Sequence, residues 1–210
     1  MTPIEQVLVV ERAAFDRAGS FQGLTFDVQP YLEALFAPGV LRFMPRPQAE
    51  IDPSFKQLIP YVLLGHGGNF FSYVRGKQAG EKRLVGQRSI GIGGHINPAD
   101  DMPLFTSDYR EVYDAAVQRE VAEEVLVAAD HTDRIVALLN DDSTDVGKVH
   151  LGIVHHWNLS APEVRKREQM ITQNAFMSSA ELHAVLESLE SWSRFCVEHL
   201  EGIIDSANNA

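Results

Sequence analysis

Cysteine is almost missing from this sequence: Cys196 stands alone, so the chain forms no internal disulfide and offers no CxxC metal pair, and its one thiol fits a reducing cytoplasm. Long apolar runs are missing too, since no stretch approaches the roughly 20 residues that a membrane span requires. Met1 to Val10 carries Glu5 and lacks a basic leader, so it reads as a strand rather than a signal peptide. Basic residues are few, 18 against 29 acidic, leaving a formal charge of -11 and a pI near 5.1. That field repels long nucleic acid but leaves small phosphorylated ligands open as partners. There is no Walker Gly-Lys-Ser/Thr, and Gly91-Ile92-Gly93-Gly94 lacks the third glycine and following helix of a dinucleotide fingerprint. Repeats, low-complexity tracts and dividing linkers are also absent from the 210 residues, 45% of them hydrophobic, so a single domain with a substantial core is expected.

What is present reads as alternating α and β texture. Gln6 to Arg12 holds the run Val7 to Val10, an early strand. Thr25 or Asp27 is placed to cap a short helix with Pro30 in its first turn, ended by Pro38-Gly39, and a proline-marked connector runs from Pro45 to Pro53. Ile59 to Leu64 and Phe70 to Arg75, joined through Gly65-His66-Gly67-Gly68-Asn69, form a hairpin. Arg83 to Val85 and Ser89 to Ile92 continue the β texture into the pair Gly93-Gly94. Asp108 to Val127 reads as a helix with Ala115, Val121, Ala122, Val125 and Leu126 on its apolar side. Ile135 to Leu139 and His150 to Trp157 are strands. Ser178 and Glu181 make a capping box that opens one long C-terminal helix through Leu200, suited to core packing or to a homodimer interface, with a fraying tail from Asp205.

Chemistry concentrates in Arg119-Glu120-Val121-Ala122-Glu123-Glu124. At about 100° per residue the three glutamates share an arc of roughly 100° on one helical face. Such crowding is unfavourable without a partner, and hard carboxylate oxygens suit Mg²⁺, with Mn²⁺ as the alternative. Arg119 precedes Glu123 by four residues, at salt-bridge spacing. His155 and His156, adjacent on a strand, face opposite sides and are poor joint ligands for one ion. Cys196 reads as a small buried hydrophobe.

These residues resemble the Nudix box: Glu111, seven residues, then Arg119, Glu120, Val121, Glu123, Glu124 and Val127 all match its pattern. Two positions depart from it. The motif glycine falls on Phe105, so the equivalent glycine is sought in Gly93-Gly94 with an inserted loop between, and Leu126 stands where the motif has glycine. The resemblance implies a Nudix-like α/β/α sandwich around a mixed β-sheet, a single domain over residues 1–210 with an N-terminal extension of about 57 residues packed on it. It also implies a metal-dependent hydrolase, a pyrophosphohydrolase splitting the diphosphate of a nucleoside diphosphate linked to another group. In that scheme Glu120 and Glu124 hold the metal, Glu123 is a third ligand or positions water, the Gly93 carbonyl completes the shell, Arg119 orients a carboxylate, and Glu168, with Glu163 behind it, is the extra base. Among Arg75, Lys77, Arg83 and Arg88 none is singled out for substrate phosphates. The rival reading is a sensor of the same fold that binds a nucleotide-like ligand without turning it over. An isomerase of this fold needs a catalytic cysteine, and Cys196 on the terminal helix argues against it.

Overall fold

The computed structural model describes residues 4–76, 86–100, 108–167 and 171–209. In chain order the elements are β1 (Gln6–Glu11), α1 (Arg12–Gly19), β2 (Gly23–Thr25), α2 (Gln29–Leu35), β3 (Leu41–Pro45), α3 (Arg46–Ala49), β4 (Phe55–His66) and β5 (Asn69–Arg75). They continue as β6 (Arg88–Ser89), β7 (Gly91–Gly93), α4 (Tyr109–Glu124), β8 (Val125–Val127), β9 (His131–Asn140), β10 (His150–Leu159), β11 (Val164–Lys166) and β12 (Ile171–Ser178). Three helices close the chain: α5 (Ser179–Ala184), α6 (Ser191–Glu198) and α7 (Leu200–Asn209). The result is a mixed α/β fold, and no described helix is long and apolar enough to cross a membrane.

Two compact units emerge, one of Met1–Pro60, Gly93–Arg119 and Ala137–Ile153, the other of Tyr61–Ile92, Glu120–Val136 and Val154–Ala210.

In the first unit β1 lies antiparallel to β3, with Val7 opposite Met44, and to the start of β4, with Val9 opposite Gln57. Val7 to Val10 are all buried, as their β-branched run requires, and Val7 and Val9 pack with Met44, Ala49 and Phe55. β2 pairs with the end of β9, Gly23 opposite Asn140. Sequence reading assigns no helix to residues 12–19, but α1 follows β1 directly and buries Phe15 against Phe21 and Tyr31. The expected cap on α2 is absent: its N-cap is Val28, without a side-chain hydrogen bond, and Pro30 does the work by pre-setting the first turn. The proline-marked connector holds the short helix α3, with Pro47 in its first turn. Lys56 is fully buried, and its ammonium donates to Asp142 Oδ1 at 2.9 Å and to the carbonyls of Gly147, Lys148 and His150 at 3.0 to 3.2 Å, fixing the loop before β10.

In the second unit the hairpin of β4 and β5 closes on Gly67-Gly68, both at positive φ, as a two-residue loop that follows strand twist demands. β5 carries β12 on its edge and pairs Tyr73 with Ser89 of β6, while β8 and β11 form a separate two-stranded sheet. The single long C-terminal helix of the sequence reading is broken into α5, α6 and α7, and the tail does not fray at Asp205, since α7 runs to Asn209. The capping box at Ser178 and Glu181 is formed. The break has a physical cause at Glu190: its buried carboxylate caps α6 by accepting from Trp192 N and Ser193 N, both at 3.0 Å, and it takes the Tyr61 hydroxyl at 2.5 Å. An interior helical position would leave that carboxylate without the backbone donors it uses here.

Candidate active site

Helix α4 is the structural basis of the site. Its buried residues are Val112, Tyr113, Ala116, Val117 and Val121. The apolar side expected from sequence is therefore corrected: Ala122 is exposed, and Leu126, on β8, is 40% exposed. Spacing then fixes where the acids lie. Glu120 follows Ala116 by four residues and Val117 by three, and Glu124 follows Val117 by seven and Glu120 by four, so the carboxylates of the last turn continue the inward face of the helix. Glu120 and Glu124 are accordingly half-buried, while Glu123 is exposed. Acidic side chains on the packed side of a helix are costly, and that placement separates them from an ordinary solvated face.

Glu124 has a defined neighbour. The Tyr73 hydroxyl reaches Glu124 Oε2 at 3.3 Å and the Gly91 carbonyl at 2.9 Å. Burial, then the charge of Glu124, holds the phenol well above its ordinary range, so Tyr73 remains a neutral donor. Arg75, two residues along β5, lies 5.7 Å above the Tyr73 ring. Burial pulls its basicity down, but the Tyr73 hydroxyl, Glu124 and Glu190 outweigh that effect and keep it charged. Its Nε is buried and makes no hydrogen bond among the described residues.

The strand leading to the glycine pair is pinned from behind. Ser193 Oγ accepts from Ile90 N at 2.9 Å, and Ser89 Oγ donates to the Gly91 carbonyl at 3.0 Å. A Cβ on Gly91 would land on the Tyr61 ring, so this glycine is required by close approach. Gly93 ends β7 half-buried, and neither it nor Gly94 adopts positive φ.

Arg119 directs its guanidinium to Asp100, Nε to Oδ1 at 2.6 Å and a terminal nitrogen to Oδ2 at 3.0 Å, with a further bond to the His95 carbonyl at 2.8 Å. The sequence places Glu123 at salt-bridge spacing from Arg119 but gives no sign of Asp100, a buried acid nineteen residues away. His95, half-buried beside Arg46, His150 and Arg119, has its imidazole pushed down to about 3, chiefly by desolvation and then by the positive charge of those neighbours.

The end of α4 explains the departure at Leu126. No left-handed residue is needed because the chain passes straight into β8, ending the helix at Glu124 and not Val127. The Glu124 carbonyl accepts from Arg167 N at 2.9 Å, and the Ala122 carbonyl from the Arg167 guanidinium at 2.9 Å. A backbone amide and a cation thus perform the capping that a glycine turn usually permits.

Glu111 sits exposed in the first turn of α4, and Glu163 is exposed just before β11. Glu168, Lys77, Arg83 and Phe105 lie outside the described residues. His155 and His156 diverge, His155 Nδ1 lying 2.7 Å from Asp133 while His156 sits over Gly65. Cys196 is buried, its thiol raised by that burial and by Glu190.

A scan of protein-family models finds none that matches the chain. Among solved structures, Tm1382, described as a candidate Nudix hydrolase, superposes with a TM-score of 0.76 at 27% identity, covering 93% of this chain and 98% of its own. DR0079 from Deinococcus radiodurans shares the fold at a TM-score of 0.53 and 16% identity, over 78% of this chain and 94% of that one. The chain belongs to the Nudix hydrolase superfamily and has its fold, an α/β/α sandwich around a mixed sheet. Among curated proteins, Protein YmaB of Bacillus subtilis (strain 168) is 33% identical over 206 residues, 96% of each chain.

Proposed function

We propose that this protein is a Mg²⁺-dependent hydrolase, with Mn²⁺ as the alternative ion, that cleaves the diphosphate of a nucleoside diphosphate joined to another group. The observation that carries this reading is the half-burial of Glu120 and Glu124 on the packed side of the last turn of α4, with a buried tyrosine hydroxyl on Glu124. Among the described residues no three His, Cys, Asp or Glu side chains gather into a cation cage. Mg²⁺ usually takes one or two protein carboxylates and completes its shell with water and substrate phosphate oxygens. Glu120 and Glu124 would hold the ion, and Glu123, the exposed member, would be a third ligand or position a water. When bound, the ion would neutralise phosphate charge and acidify water.

The remaining residues act through position. The Tyr73 hydroxyl, its one hydrogen shared between the Gly91 carbonyl at 2.9 Å and Glu124 Oε2 at 3.3 Å, would hold that oxygen beside β7. Arg119, clamped by Asp100, steadies the turn from which Glu120 projects. Arg75, charged and with a buried Nε lacking a partner among the described residues, suits a substrate phosphate. Glu168 is retained as a candidate base on the strength of the resemblance alone.

The test is incubation with Mg²⁺ and a panel of nucleoside diphosphate derivatives, read by phosphate release and product mass, beside Glu124→Gln. Metal-dependent cleavage that falls at least about a hundredfold in the variant is expected, a loss of about 2.7 kcal/mol of transition-state stabilisation. Ligand binding with no metal-dependent product would instead make the protein a sensor.

A further inference from the structure

A cavity of about 390 Å³ opens in the second unit among the β4–β5 turn, β9, β10 and α7. It shares no residue with the acidic centre. The volume lies within the range of small-molecule sites. In a chain whose acids outnumber its bases 29 to 18, no acidic residue lines it. Strand alternation explains this sorting. Thr132 and Arg134 of β9 and His156 and Asn158 of β10 face the cavity, whereas Asp133 is taken by His155.

We propose that this cavity binds a small organic phosphate, with Arg134 as its charged anchor. Arg134 makes no ion pair and no hydrogen bond among the described residues, so its fork is available to an oxyanion. His156 is 8% exposed, and its Nδ1 is buried with no partner among the described residues. Its ring occupies the space that the missing Cβ of Gly65 leaves open. His66 Nδ1 donates to the Leu159 carbonyl at 2.8 Å, which leaves Nε2 as the uncommitted nitrogen. Polar groups of the turn and of two strands thus line one cavity and offer hydrogen-bond partners to the oxygens of a phosphate beside the Arg134 guanidinium. Phe70, Leu159 and Ile204 supply an apolar wall for the organic part of the ligand.

The experiment uses the full chain in EDTA, so that metal-dependent binding at the acidic centre is silent. AMP, ribose 5-phosphate, inorganic phosphate, adenosine and succinate are titrated by calorimetry, with the imidazole resonances of His66 and His156 followed by NMR. The phosphate esters are expected to bind and to shift both histidines, with adenosine and succinate at least about tenfold weaker. Arg134→Gln, an exposed position that folding tolerates, is expected to weaken the esters about tenfold or more, with partial recovery in Arg134→Lys. Glu124→Gln is expected to leave this binding unchanged, which separates failure here from failure of the hydrolase reading. The assignment is overturned if the histidines do not move up to about 10 mM AMP, if Arg134→Gln binds like the parent, if succinate or bare phosphate binds as tightly as the esters, or if Glu124→Gln abolishes binding.

Discussion

Replacing Glu190 with alanine isolates what one buried carboxylate contributes to this fold. Its Oε1 accepts from the Tyr61 hydroxyl at 2.5 Å, Ser193 Oγ at 2.6 Å and Ser193 N at 3.0 Å, and its Oε2 from Trp192 N at 3.0 Å. Loss of the N-cap on α6 should cost about 1 kcal/mol. Leaving the Tyr61 hydroxyl, on a side chain only 4% exposed, without its charged acceptor adds about 1.5 to 3 kcal/mol. Ser193 Oγ, 2.7 Å from the same hydroxyl, offsets part of that, so about 3 kcal/mol is expected in total. Glutamine keeps one oxygen and the side-chain volume and should cost about 1 kcal/mol. Urea titration gives both differences. At about 2 to 4 °C per kcal/mol for a chain of this size, the alanine variant should melt about 6 to 12 °C lower. Amide exchange at Ile90, whose N–H is bonded to Ser193 Oγ, should quicken in parallel. A loss below about 1 kcal/mol for alanine, or equal losses for alanine and glutamine, would refute the reasoning.

Other expectations follow from the same packing. Gly91→Ala drives a methyl into the Tyr61 ring, which Glu190 and Ser193 hold in place, and should cost about 3 kcal/mol or more by urea midpoint. Gly68→Ala meets open space but strains a φ of +81° and should cost about 1 kcal/mol. His95 is neutral when folded down to about 3, against an ordinary value of 6.5. The unfolded chain therefore binds the extra proton below 6.5, and stability is full above that pH and falls as acid is added. The slope should approach about 1.4 kcal/mol per pH unit between 6 and 4, and His95→Gln should flatten it in denaturation profiles. Burial depresses His156 in the same direction, so the flattening will be partial. Asp100→Ala strips Arg119 of its bidentate partner; because that arginine side chain is 27% exposed, a loss of about 2 to 3 kcal/mol is expected in the same titration, at the low end for a broken buried pair.

What could be read from the sequence depended on how far apart the partners lie. The hairpin at Gly67-Gly68, the strand at His150 and the helix bearing the glutamates have local causes: turn residues, alternation and helical period. The segments around α1, β2 and β3 do not, because Val10 pairs with Leu41 and Thr25 with Leu138. The broken C-terminal helix was likewise hidden, since the tyrosine that recruits Glu190 lies 129 residues away. At the site, spacing alone placed the three carboxylates on one face. It did not reveal which way that face turned, because Ala occurs on both sides of α4, Ala116 buried and Ala122 exposed. Tyr73, fifty-one residues from Glu124, and Asp100, nineteen from Arg119, carry no motif and became visible only through their contacts.

The direct passage from α4 into β8 has a consequence for the proposed ligation by the carboxylates. No loop intervenes at which the final turn might swing or unwind, and Arg167 together with the β8–β11 pairing ties its carbonyl end to an extended segment. The backbone that carries them is set during folding, so little backbone ordering entropy is left for the proposed ligand to remove. In the proposed enzyme the choice of ligand then falls to what surrounds the acids, while the helical turn that carries them stays put.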